Sequence, residues 1–407
     1  MRILYLNPTG TLGGAERSLL DLMWAIRRER PGWILELMAG AEGELAAEAE
    51  KLGLNVHVMP LPPALSRLGD AGAGGPAGGE VTRLKVISRL AFSIPTLGLY
   101  VAKLRRFFRE RQPDVIHSNG FKTHILAAWA APRNSKVIWH VRDYVSPRPL
   151  ISRLVRAHSG HCSVAITNSN SVARDLDAVC GGRLKICTVY NAVDLERFNP
   201  TGPTLDLDAL SSLPLAQAGT VRVGLVATMA RWKGHEVFLH ALSMLPRDRP
   251  IRGYVIGGPI YTTAGSQYSI DELRKLASGL GLNGSIGFTG YVKDPASAIR
   301  ALDIVVHAST QPEPFGRVVA EAMACGRPVI ASNAGGVSEI IAENEAALGH
   351  APGDSTALAE SISHLARDCG LREKLGAKGR RWAEQRFDRL RLAAEVLPIY
   401  QLLHGVG

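Results

Sequence analysis

Short apolar runs alternate with amphipathic stretches of helical length along most of the chain. In the N-terminal half, strand-length runs such as RILYL, PDVIHSN, KVIWHV and VAITNS are separated by segments such as AERSLLDLMWAIRRE. The alternation begins again in the C-terminal half with VRVGLVA, RGYVIGG, IGFTGYV, DIVVHAS and PVIAS. This order is typical of a doubly wound parallel sheet with helices on both faces. The pattern therefore predicts an α/β protein with two Rossmann-like domains.

The boundaries of these domains follow from the point where the second series of strands starts. We predict an N-terminal domain over residues 1–199, a C-terminal domain over residues 200–385 and helical sequence over residues 386–407. At about residues 70–80, a stretch rich in Gly, Ala and Pro lacks side chains that could form a core. We expect this stretch to be a mobile loop.

Residues 81–111 combine basic and apolar positions. The segment holds eight Lys or Arg and a single acid, Glu110, around the run LAFSIPTLGLYVAKL. We expect Pro95 to divide it into two helices, neither of them long enough to span a membrane. Two interpretations stay open: a pair of covering helices with a solvated basic face, or an amphipathic patch that rests on anionic lipid headgroups.

Composition indicates two cores and a basic N-terminal half. The 407 residues are 46% hydrophobic and 21% charged, which is enough apolar sequence for two packed domains. The formal charge of +10 lies almost entirely in residues 1–199, where 26 basic side chains outnumber 17 acidic ones. Such an excess can attract an anionic substrate, a nucleic acid or a membrane surface.

The cysteines and the N-terminal sequence bear on the compartment. The five cysteines show neither the spacing of a zinc site nor that of a disulfide framework. The opening MRILYLNP has too short an apolar run for a signal peptide, and no window approaches about 20 uninterrupted apolar residues. We therefore expect a cytoplasmic protein that is soluble, or peripheral on the inner face of the cytoplasmic membrane.

Four loops carry candidate chemistry at the carboxyl ends of predicted strands, where open α/β sheets bind ligands. The first, NPTGTLGGAER, places Gly10, Gly13 and Gly14 before a helix, so the backbone there could approach an anion such as phosphate. It lacks the G-x-G-x-x-G order of a dinucleotide site. A glycine-rich turn that only reverses the chain remains the alternative.

The second loop, ATMARWKGH, places Arg231 and Lys233 beside Gly234. Two cations one residue apart suit a diphosphate, because arginine offers a fork of donors and lysine a point charge. The alternative is a pair of solvated surface cations.

The third loop carries Glu313 and Glu321 on either side of a predicted helix start. Pro314 suits an early helical position, so we expect Phe315 and Gly316 in the first turn, where their amides could donate to a ligand. Glu321 lies about two turns after Glu313 and within roughly 80° of the same face. Two such acceptors suit a polyhydroxylated ligand with a ribose attached. In the alternative interpretation, Glu313 only interacts favourably with the helix dipole and Glu321 is a surface residue.

The fourth candidate is a pair of histidines at strand ends, His117 and His140. Each can be a hydrogen-bonded core residue or a group that lines a catalytic site. His140 is the stronger candidate, because Arg142, Asp143 and Tyr144 follow it.

Six motifs then occur in order: GGAE, YNAVDLERFNP, ATMARWKGH, GFTGYVKD, DIVVHAS and EPFGRVVAEAMACGRPVIASNAGGVSEII. In this series the chain resembles the retaining glycosyltransferases of family 4, also called glycosyltransferase group 1, over nearly its whole length. Glu313 and Glu321 stand at the family's E-x7-E pair. The resemblance implies the GT-B fold, in which two Rossmann-like domains face each other across a cleft. It also implies that the C-terminal helix, residues 386–407, returns to the first domain.

The resemblance assigns roles to residues of the C-terminal domain. Arg231 and Lys233 match the pair that binds the donor's diphosphate and assists its departure. Glu313 matches the glutamate that holds the donor sugar, and Glu321 matches the one that binds the nucleotide ribose. Arg317 stands where an aliphatic residue is usual in the family, and we include it among the donor-binding candidates.

Further roles concern backbone groups and the N-terminal domain. The backbone of Phe315 and Gly316 is implied to lie beside the donor sugar. Gly13 and Gly14 match the glycine-rich loop that approaches the diphosphate. His140 matches the histidine near the anomeric carbon, although HVRD replaces the family's usual His-Asp. The implied catalytic set is therefore His140, Arg231, Lys233 and Glu313.

These assignments predict a retaining, metal-independent hexosyltransferase of class EC 2.4. It would move a sugar from a nucleotide diphosphate sugar to a glycan or lipid-linked acceptor, in cell-envelope or exopolysaccharide biosynthesis. We expect no cofactor beyond the nucleotide sugar as co-substrate, and no nucleic-acid partner. The D-x-D sequence at Asp206–Asp208 lies in a predicted polar linker, so we assign it no metal. The alternatives are a non-catalytic nucleotide-sugar-binding subunit, or an epimerase or phosphorylase of the same fold.

Overall fold

The structure is a computed structural model that describes residues 1–66, 80–246, 250–259, 265–342 and 345–405, without the side chains of residues 64, 66 and 80–94. Most of the predicted loop at residues 70–80 lies outside these ranges. The chain divides into two units. The first comprises Met1–Ala192 together with Arg389–Gly407, and the second comprises Val193–Asp388.

Over the described residues, seven parallel strands form the sheet of the first unit, in the order β3-β2-β1-β4-β5-β6-β7. The strands are β1 (Arg2–Asn7), β2 (Ile34–Ala39), β3 (Asn55–Val58), β4 (Val115–Asn119), β5 (Lys136–Val141), β6 (Val164–Thr167) and β7 (Ile186–Thr188). In β1, Leu4 and Leu6 belong to one hydrophobic cluster and Ile3 and Tyr5 to another. Because side chains alternate along a strand, this division shows that both faces of the sheet are covered.

The helices that cover this sheet before the second unit begins are α1 (Gly14–Glu29), α2 (Glu44–Lys51), α3 (Pro63–Ser66), α4 (Glu80–Arg111), α5 (Phe121–Ala130), α6 (Pro149–His158) and α7 (Asn170–Cys180). The predicted break at Pro95 is wrong, because α4 continues through it. On the C-terminal side of the proline, Tyr100, Leu104 and Phe108 are buried in the core. This packing outweighs the unfavourable effect of one proline in the helix.

In the second unit, the described residues form six parallel strands in the order β10-β9-β8-β11-β12-β13. These are β8 (Val221–Val226), β9 (Ile251–Ile256), β10 (Ile286–Gly290), β11 (Ile304–His307), β12 (Val329–Ser332) and β13 (Ala347–His350). The predicted fold class, an α/β chain with two Rossmann-like parallel sheets, is confirmed.

The helices of the second unit are α8 (Leu207–Leu210), α9 (His235–Ser243), α10 (Ile270–Gly279), α11 (Pro295–Arg300), α12 (Arg317–Ala324), α13 (Gly336–Ala342), α14 (Ser355–Arg367) and α15 (Cys369–Arg386). A single 3-10 turn, Arg231–Lys233, lies between β8 and α9. None of the helices within the described ranges has the length and apolar character needed to cross a membrane.

Helix α16 (Arg391–Gly405) belongs to the first unit and packs against α1. Its residues Leu392, Val396 and Tyr400 are buried in one hydrophobic cluster with Leu19 and Met23 of α1. The helix therefore completes the core on one face of the first sheet.

Arg391, at the start of this helix, binds the segment that follows β7. Its Nη2 donates to the backbone carbonyls of Tyr190 and Asn191 at 2.6 and 2.8 Å. These carbonyls lie at the end of the first unit's main segment, beside the boundary at Ala192.

Asp208 is buried in the second unit, so its prediction as part of a polar linker is wrong. Its carboxylate lies 2.6 Å from Arg252 Nη1 and accepts a hydrogen bond of 2.6 Å from the Tyr254 hydroxyl. Burial opposes ionisation, but these two partners outweigh it and hold the pKa of Asp208 at about 2. Asp206 caps α8 by accepting from the amide of Ala209. Both carboxylates of the D-x-D sequence thus stabilise the fold.

Candidate functional site

Glu313 is the centre of a buried polar cluster in the second unit. Its Oε1 lies 2.5 Å from Lys233 Nζ. Its Oε2 accepts a hydrogen bond of 2.8 Å from the Ser309 hydroxyl and lies 3.1 Å from His307 Nε2. A carboxylate only accepts, so that histidine nitrogen carries a proton. The structure therefore brings together Lys233 and Glu313, two predicted site residues from loops far apart in sequence.

Tight backbone packing holds Lys233 at this position. Gly234 has φ +76°, and a Cβ atom there would lie 1.8 Å from the carbonyl oxygen of Ala308. Only glycine allows this approach. The amide of Thr310 donates to the carbonyl of Trp232 at 2.8 Å, which ties the 3-10 turn to the loop after β11.

The backbone of Glu313 is fixed from the other side by Gly336, the first residue of α13. Its carbonyl accepts a hydrogen bond of 2.7 Å from the amide of Gly336. A Cβ atom at Gly336 would lie 2.2 Å from the carbonyl oxygen of Pro314, so this contact also requires glycine. The loops after β8, β11 and β12 thus converge on one carboxylate, at the edge of the sheet where parallel strands end.

The electrostatic environment keeps Glu313 ionised. Burial would raise the pKa of its carboxyl group, but the charge of Lys233 and the hydrogen bond from His307 outweigh this effect and hold the pKa well below its usual range. The side chains of Lys233 and Glu313 are 16% and 11% exposed. An ionised, mostly dehydrated carboxylate is suited to accept hydrogen bonds from hydroxyl groups and is a poor proton donor at neutral pH.

Helix α12 begins later than predicted. It starts at Arg317, with Gly316 as its N-cap at φ +89°, so Pro314 and Phe315 precede the first turn. A Cβ atom at Gly316 would lie 2.4 Å from a methyl carbon of Val337. The side chain of Phe315 is buried and packs edge to face against Phe387. Its ring is therefore part of the core of the second unit.

Arg317 and Glu321 lie one turn apart on α12 and form an ion pair. Arg317 Nε is 3.1 Å from Glu321 Oε1, and the two side chains are only 15% and 12% exposed. Arg317 therefore contacts a predicted donor-binding residue directly. Because arginine offers several donors, Arg317 can orient the carboxylate of Glu321 and still donate to other groups.

Arg231 binds a different carboxylate from Lys233. Its Nη2 lies 2.9 Å from Glu272 Oε1, and its Nε donates to the carbonyl of Gly265 at 3.0 Å. The guanidinium carbon lies 4.4 Å from the centre of the Tyr268 ring. Arg231 is thus held by α10 and by the segment before it, and its side chain is 39% exposed.

In the first unit, Gly13 and Gly14 form the start of α1 at the end of β1. Gly13 is the N-cap, and its amide donates to Glu16 Oε2 at 3.1 Å. The other carboxylate oxygen of Glu16 lies 3.1 Å from the Thr9 hydroxyl and 3.4 Å from Asn7 Nδ2. The loop is therefore braced by polar contacts within itself, and α1 is long enough to have a substantial dipole.

His140 is the penultimate residue of β5 and is buried beside His117 of β4. His140 Nδ1 lies 3.0 Å from His117 Nε2 and 3.2 Å from Arg142 Nη2. Burial, reinforced by the guanidinium of Arg142, lowers the pKa of His140 well below its usual range. His140 Nε2 is buried and has no hydrogen-bond partner among the described residues. A neutral imidazole with one unused nitrogen is therefore placed at the carboxyl end of the sheet.

Four residues of the site were not singled out from the sequence: Tyr268, Glu272, His307 and Ser309. His307 could have been found, because it ends the apolar run DIVVHAS as His117 and His140 end theirs. Tyr268 and Glu272 carry no comparable signal, since their roles depend on how the segment before α10 approaches Arg231. Among the described residues, no group of three or more His, Cys, Asp or Glu has a geometry that could hold a metal ion.

Two family models match the chain in succession. Residues 12–197 match the model described as Glycosyltransferase Family 4. Residues 216–382 match the model described as Glycosyl transferases group 1. Gly13, Gly14 and His140 fall in the first match, and Lys233, Glu313 and Glu321 in the second.

Similar proteins are found among curated sequences and solved structures. D-inositol 3-phosphate glycosyltransferase of Xylanimonas cellulosilytica is 32% identical over 244 residues, which are 58% of this chain and 56% of that protein. Phosphatidyl-myo-inositol mannosyltransferase of Mycobacterium leprae is 27% identical over 337 residues, 79% of this chain and 81% of that protein. The structure of Anabaena Alr3699/HepE in complex with UDP is 26% identical with a TM-score of 0.79, covering 99% of this chain and 100% of that one. A further structure of the same Anabaena protein holds UDP-glucose, at 25% identity and a TM-score of 0.78.

Proposed function

The chain belongs to the glycosyltransferases of group 1 and family 4, as its motifs predicted, and we propose that it performs the following reaction. It transfers a sugar from a nucleotide diphosphate sugar to a glycan or glycolipid acceptor, with retention of anomeric configuration and without a metal ion. The observation that carries this proposal is the largely buried cluster of Lys233, Glu313, His307 and Ser309. It combines a fixed carboxylate with a cation, which a sugar linked to a diphosphate requires.

In the proposed site, Glu313 accepts hydrogen bonds from hydroxyl groups of the donor sugar. Its ionised state suits this role and makes it unsuitable as a general acid. Lys233 supplies positive charge beside it, and a bound diphosphate would compete with Glu313 for that ammonium group. His307 and Ser309 keep the carboxylate in place during this exchange, because both bind its other oxygen.

The leaving diphosphate requires stabilisation of developing negative charge. Lys233 and Arg231 supply it, since preorganised cations at such a position lower the barrier without reorganisation during the reaction. Glu321, oriented by Arg317, accepts from the ribose hydroxyls of the nucleotide. The departing phosphate takes the acceptor's proton on the same face of the sugar, which accounts for retention without a protein nucleophile.

A uridine nucleotide is the donor we propose to test first. Its support is the Anabaena protein, which resembles this chain over nearly the full length of both and was solved with UDP and with UDP-glucose. For the acceptor, the mycobacterial relative is named for a phosphatidylinositol lipid, which favours an acceptor with a lipid anchor and a polar head.

The exposed surface in the C-terminal half of α4, where side chains are described, suits an acceptor that is anchored in a lipid membrane. Lys103, Arg105, Arg106 and Arg109 are exposed there, and Leu99 is 73% exposed. We place this basic and apolar surface against anionic headgroups on the inner face of the cytoplasmic membrane.

Thermal unfolding with nucleotides tests the donor site. Ligands that bind only the folded state raise the unfolding temperature, so UDP and a matching UDP-sugar should both raise it. In Glu313→Gln the sugar should add no stabilisation beyond that of UDP, because only the sugar contact is lost. In Glu321→Gln, both ligands should lose affinity by about tenfold, the size of one hydrogen bond to a charged group.

The reaction itself is tested by following what becomes of the donor sugar. NMR of the sugar released by slow donor hydrolysis, recorded before the anomers interconvert, should show the anomer of the donor. An inverted product would contradict retention. If no nucleotide sugar stabilises the protein or is turned over with any glycan or lipid acceptor, the proposed reaction is wrong.

A further inference from the structure

A chain of hydrogen bonds in the first unit joins helix α16 to His140. The Tyr400 hydroxyl lies 2.8 Å from His117 Nδ1, and His117 Nε2 lies 3.0 Å from His140 Nδ1. Arg142 Nη2 lies 3.2 Å from the same His140 Nδ1. Tyr400 and His117 are fully buried and His140 is 3% exposed, so water does not replace these partners.

The protons along this chain can be placed, because one member can only donate. A guanidinium has no acceptor, so His140 Nδ1 must offer its lone pair to Arg142. His117 Nε2 faces the same lone pair and must therefore carry a proton. His117 Nδ1 is then an acceptor. The Tyr400 hydroxyl, which also lies 3.4 Å from the Tyr5 hydroxyl, donates to His117 Nδ1 at the shorter distance of 2.8 Å. The remaining proton of the neutral His140 is on Nε2.

We propose that Arg142 is a positioning residue that fixes the tautomer of His140, so that the imidazole presents an Nε2–H donor at the carboxyl end of the sheet. Without Arg142, the pair of histidines could bond in either direction. In the reverse direction His140 Nδ1 would donate to His117, and His117 Nδ1 would donate to the Tyr400 oxygen. Both directions satisfy the ring nitrogens between the two histidines, and Arg142 favours one of them because its guanidinium can only donate to His140 Nδ1.

The guanidinium is itself held rigidly enough for this role. Its Nε donates to Asn119 Oδ1 at 2.7 Å and its Nη1 to Asn191 Oδ1 at 2.6 Å. Asn119 in turn donates to Asn7 Oδ1 at 2.7 Å, at the end of β1. The direction of the histidine pair is thus coupled to the ends of β1, β4 and β5.

The tautomer decides what His140 can do. Nε2, which has no partner among the described residues, carries the proton and can donate to an oxygen of a bound sugar. It cannot accept a proton there, so His140 does not act as a general base through that nitrogen. That the oxygen belongs to a substrate of the transferase rests on the proposed function, whereas the placement of the protons does not.

NMR of the unliganded protein labelled with 15N-histidine tests the inference, because protonated and unprotonated ring nitrogens have widely separated shifts. In the wild type, we expect Nε2 of both His117 and His140 to be protonated and both Nδ1 atoms to be unprotonated. In Arg142→Met, the shifts of both rings should move towards the average of the two tautomers. His124, which binds Ser118 at 2.7 Å and makes no hydrogen bond to these residues, provides an internal reference that should not move.

Tyr400→Phe is the matched control. It removes the far end of the same chain but leaves Arg142, so His140 should keep its proton on Nε2. A wild-type His140 protonated on Nδ1 would overturn the inference. So would an Arg142→Met protein whose His140 remains wholly in the Nε2–H form, since another group would then fix the tautomer.

Kinetics separate this inference from the proposed function. If a substrate oxygen accepts from Nε2–H, Arg142→Met should lower kcat by about tenfold, the size of one hydrogen bond, with a smaller change in KM for that substrate. A protein without transferase activity but with the expected tautomers would contradict the function and leave the role of Arg142 intact. An active protein whose His140 carries its proton on Nδ1 would contradict the role of Arg142 and leave the proposed function intact.

Discussion

The ammonium group of Lys233 lies 2.5 Å from the carboxylate of Glu313, although 80 positions separate the two residues in sequence. Both groups are largely removed from water, so each depends on the other for neutralisation. This dependence has consequences for stability that can be measured without any substrate.

Removing the cation should reverse the pH dependence at Glu313. In the wild type, the pKa of this carboxyl is lowered by folding, so its stabilising contribution is present above the unfolded pKa of about 4.3 and is lost as pH falls further. In Lys233→Met only the hydrogen bonds from His307 and Ser309 still oppose the effect of burial, so the pKa of Glu313 rises. The variant should therefore be about 3–5 kcal/mol less stable at pH 7 and should recover stability as pH falls towards 5.

Urea unfolding at pH 7 and pH 5 measures this effect. The double variant Lys233→Met/Glu313→Gln removes the charge altogether and should be less destabilised than Lys233→Met at pH 7. Equal stability of the two variants at pH 7 would show that the carboxylate is not left unpaired.

Arg231 should contribute to the reaction rate rather than to folding. Because its side chain is partly exposed and its partner Glu272 lies at the surface, Arg231→Met should unfold at nearly the wild-type temperature. Loss of one preorganised group that stabilises developing charge typically lowers kcat by about 10²–10³-fold. Arg274→Met, on α10 in an exposed pair with Asp271, is the matched control and should retain full kcat. Equal kcat values for both variants would remove Arg231 from the catalytic set.

Asp208 should matter for stability alone. Asp208→Asn leaves Arg252 without its buried counter-charge and should lower the free energy of unfolding by about 3 kcal/mol, with KM and kcat little changed.

The reaction should not depend on a metal ion. In an assay of sugar transfer by the wild type, EDTA should leave the rate unaltered. A rate that EDTA abolishes and Mg²⁺ restores would show that the reaction needs a metal.

Binding of α4 to lipid should depend on charge and salt. The protein should co-sediment with vesicles containing phosphatidylglycerol at low ionic strength and be released at high salt, because screening weakens the attraction. Arg106→Glu changes an exposed residue whose described ion pair is with the neighbouring Glu110, and it should reduce binding. Arg274→Glu, in the second unit, makes the same change of charge elsewhere and should bind as the wild type does.

Both sheets could be predicted from the sequence, because buried parallel strands are continuous apolar runs and their order along the chain implies the fold. The strands β7 and β13 were not predicted, because they are short edge strands with few fully buried positions. The prediction from sequence also placed the start of α12 too early at Pro314, because the left-handed Gly316 that begins this helix depends on contact with Val337.

For the site, the motifs identified Lys233 and Glu313, and the structure adds the contact between them. The link from Arg231 to Glu272 and Tyr268, and the direction of the histidine pair, depend on side-chain geometry that no local pattern encodes. Asp208 shows the opposite case, in which a local pattern suggested a polar linker and tertiary packing made it a buried anchor.

The placement of α16 also constrains the order in which the chain folds during synthesis. The second unit is one continuous segment and can be completed as soon as Asp388 has left the ribosome. The first unit begins earlier but lacks Val396 and Tyr400 in its core until the residues after Arg389 emerge. The half of the protein that is made first is therefore finished last, and until then its apolar surface beneath α16 is available to chaperones.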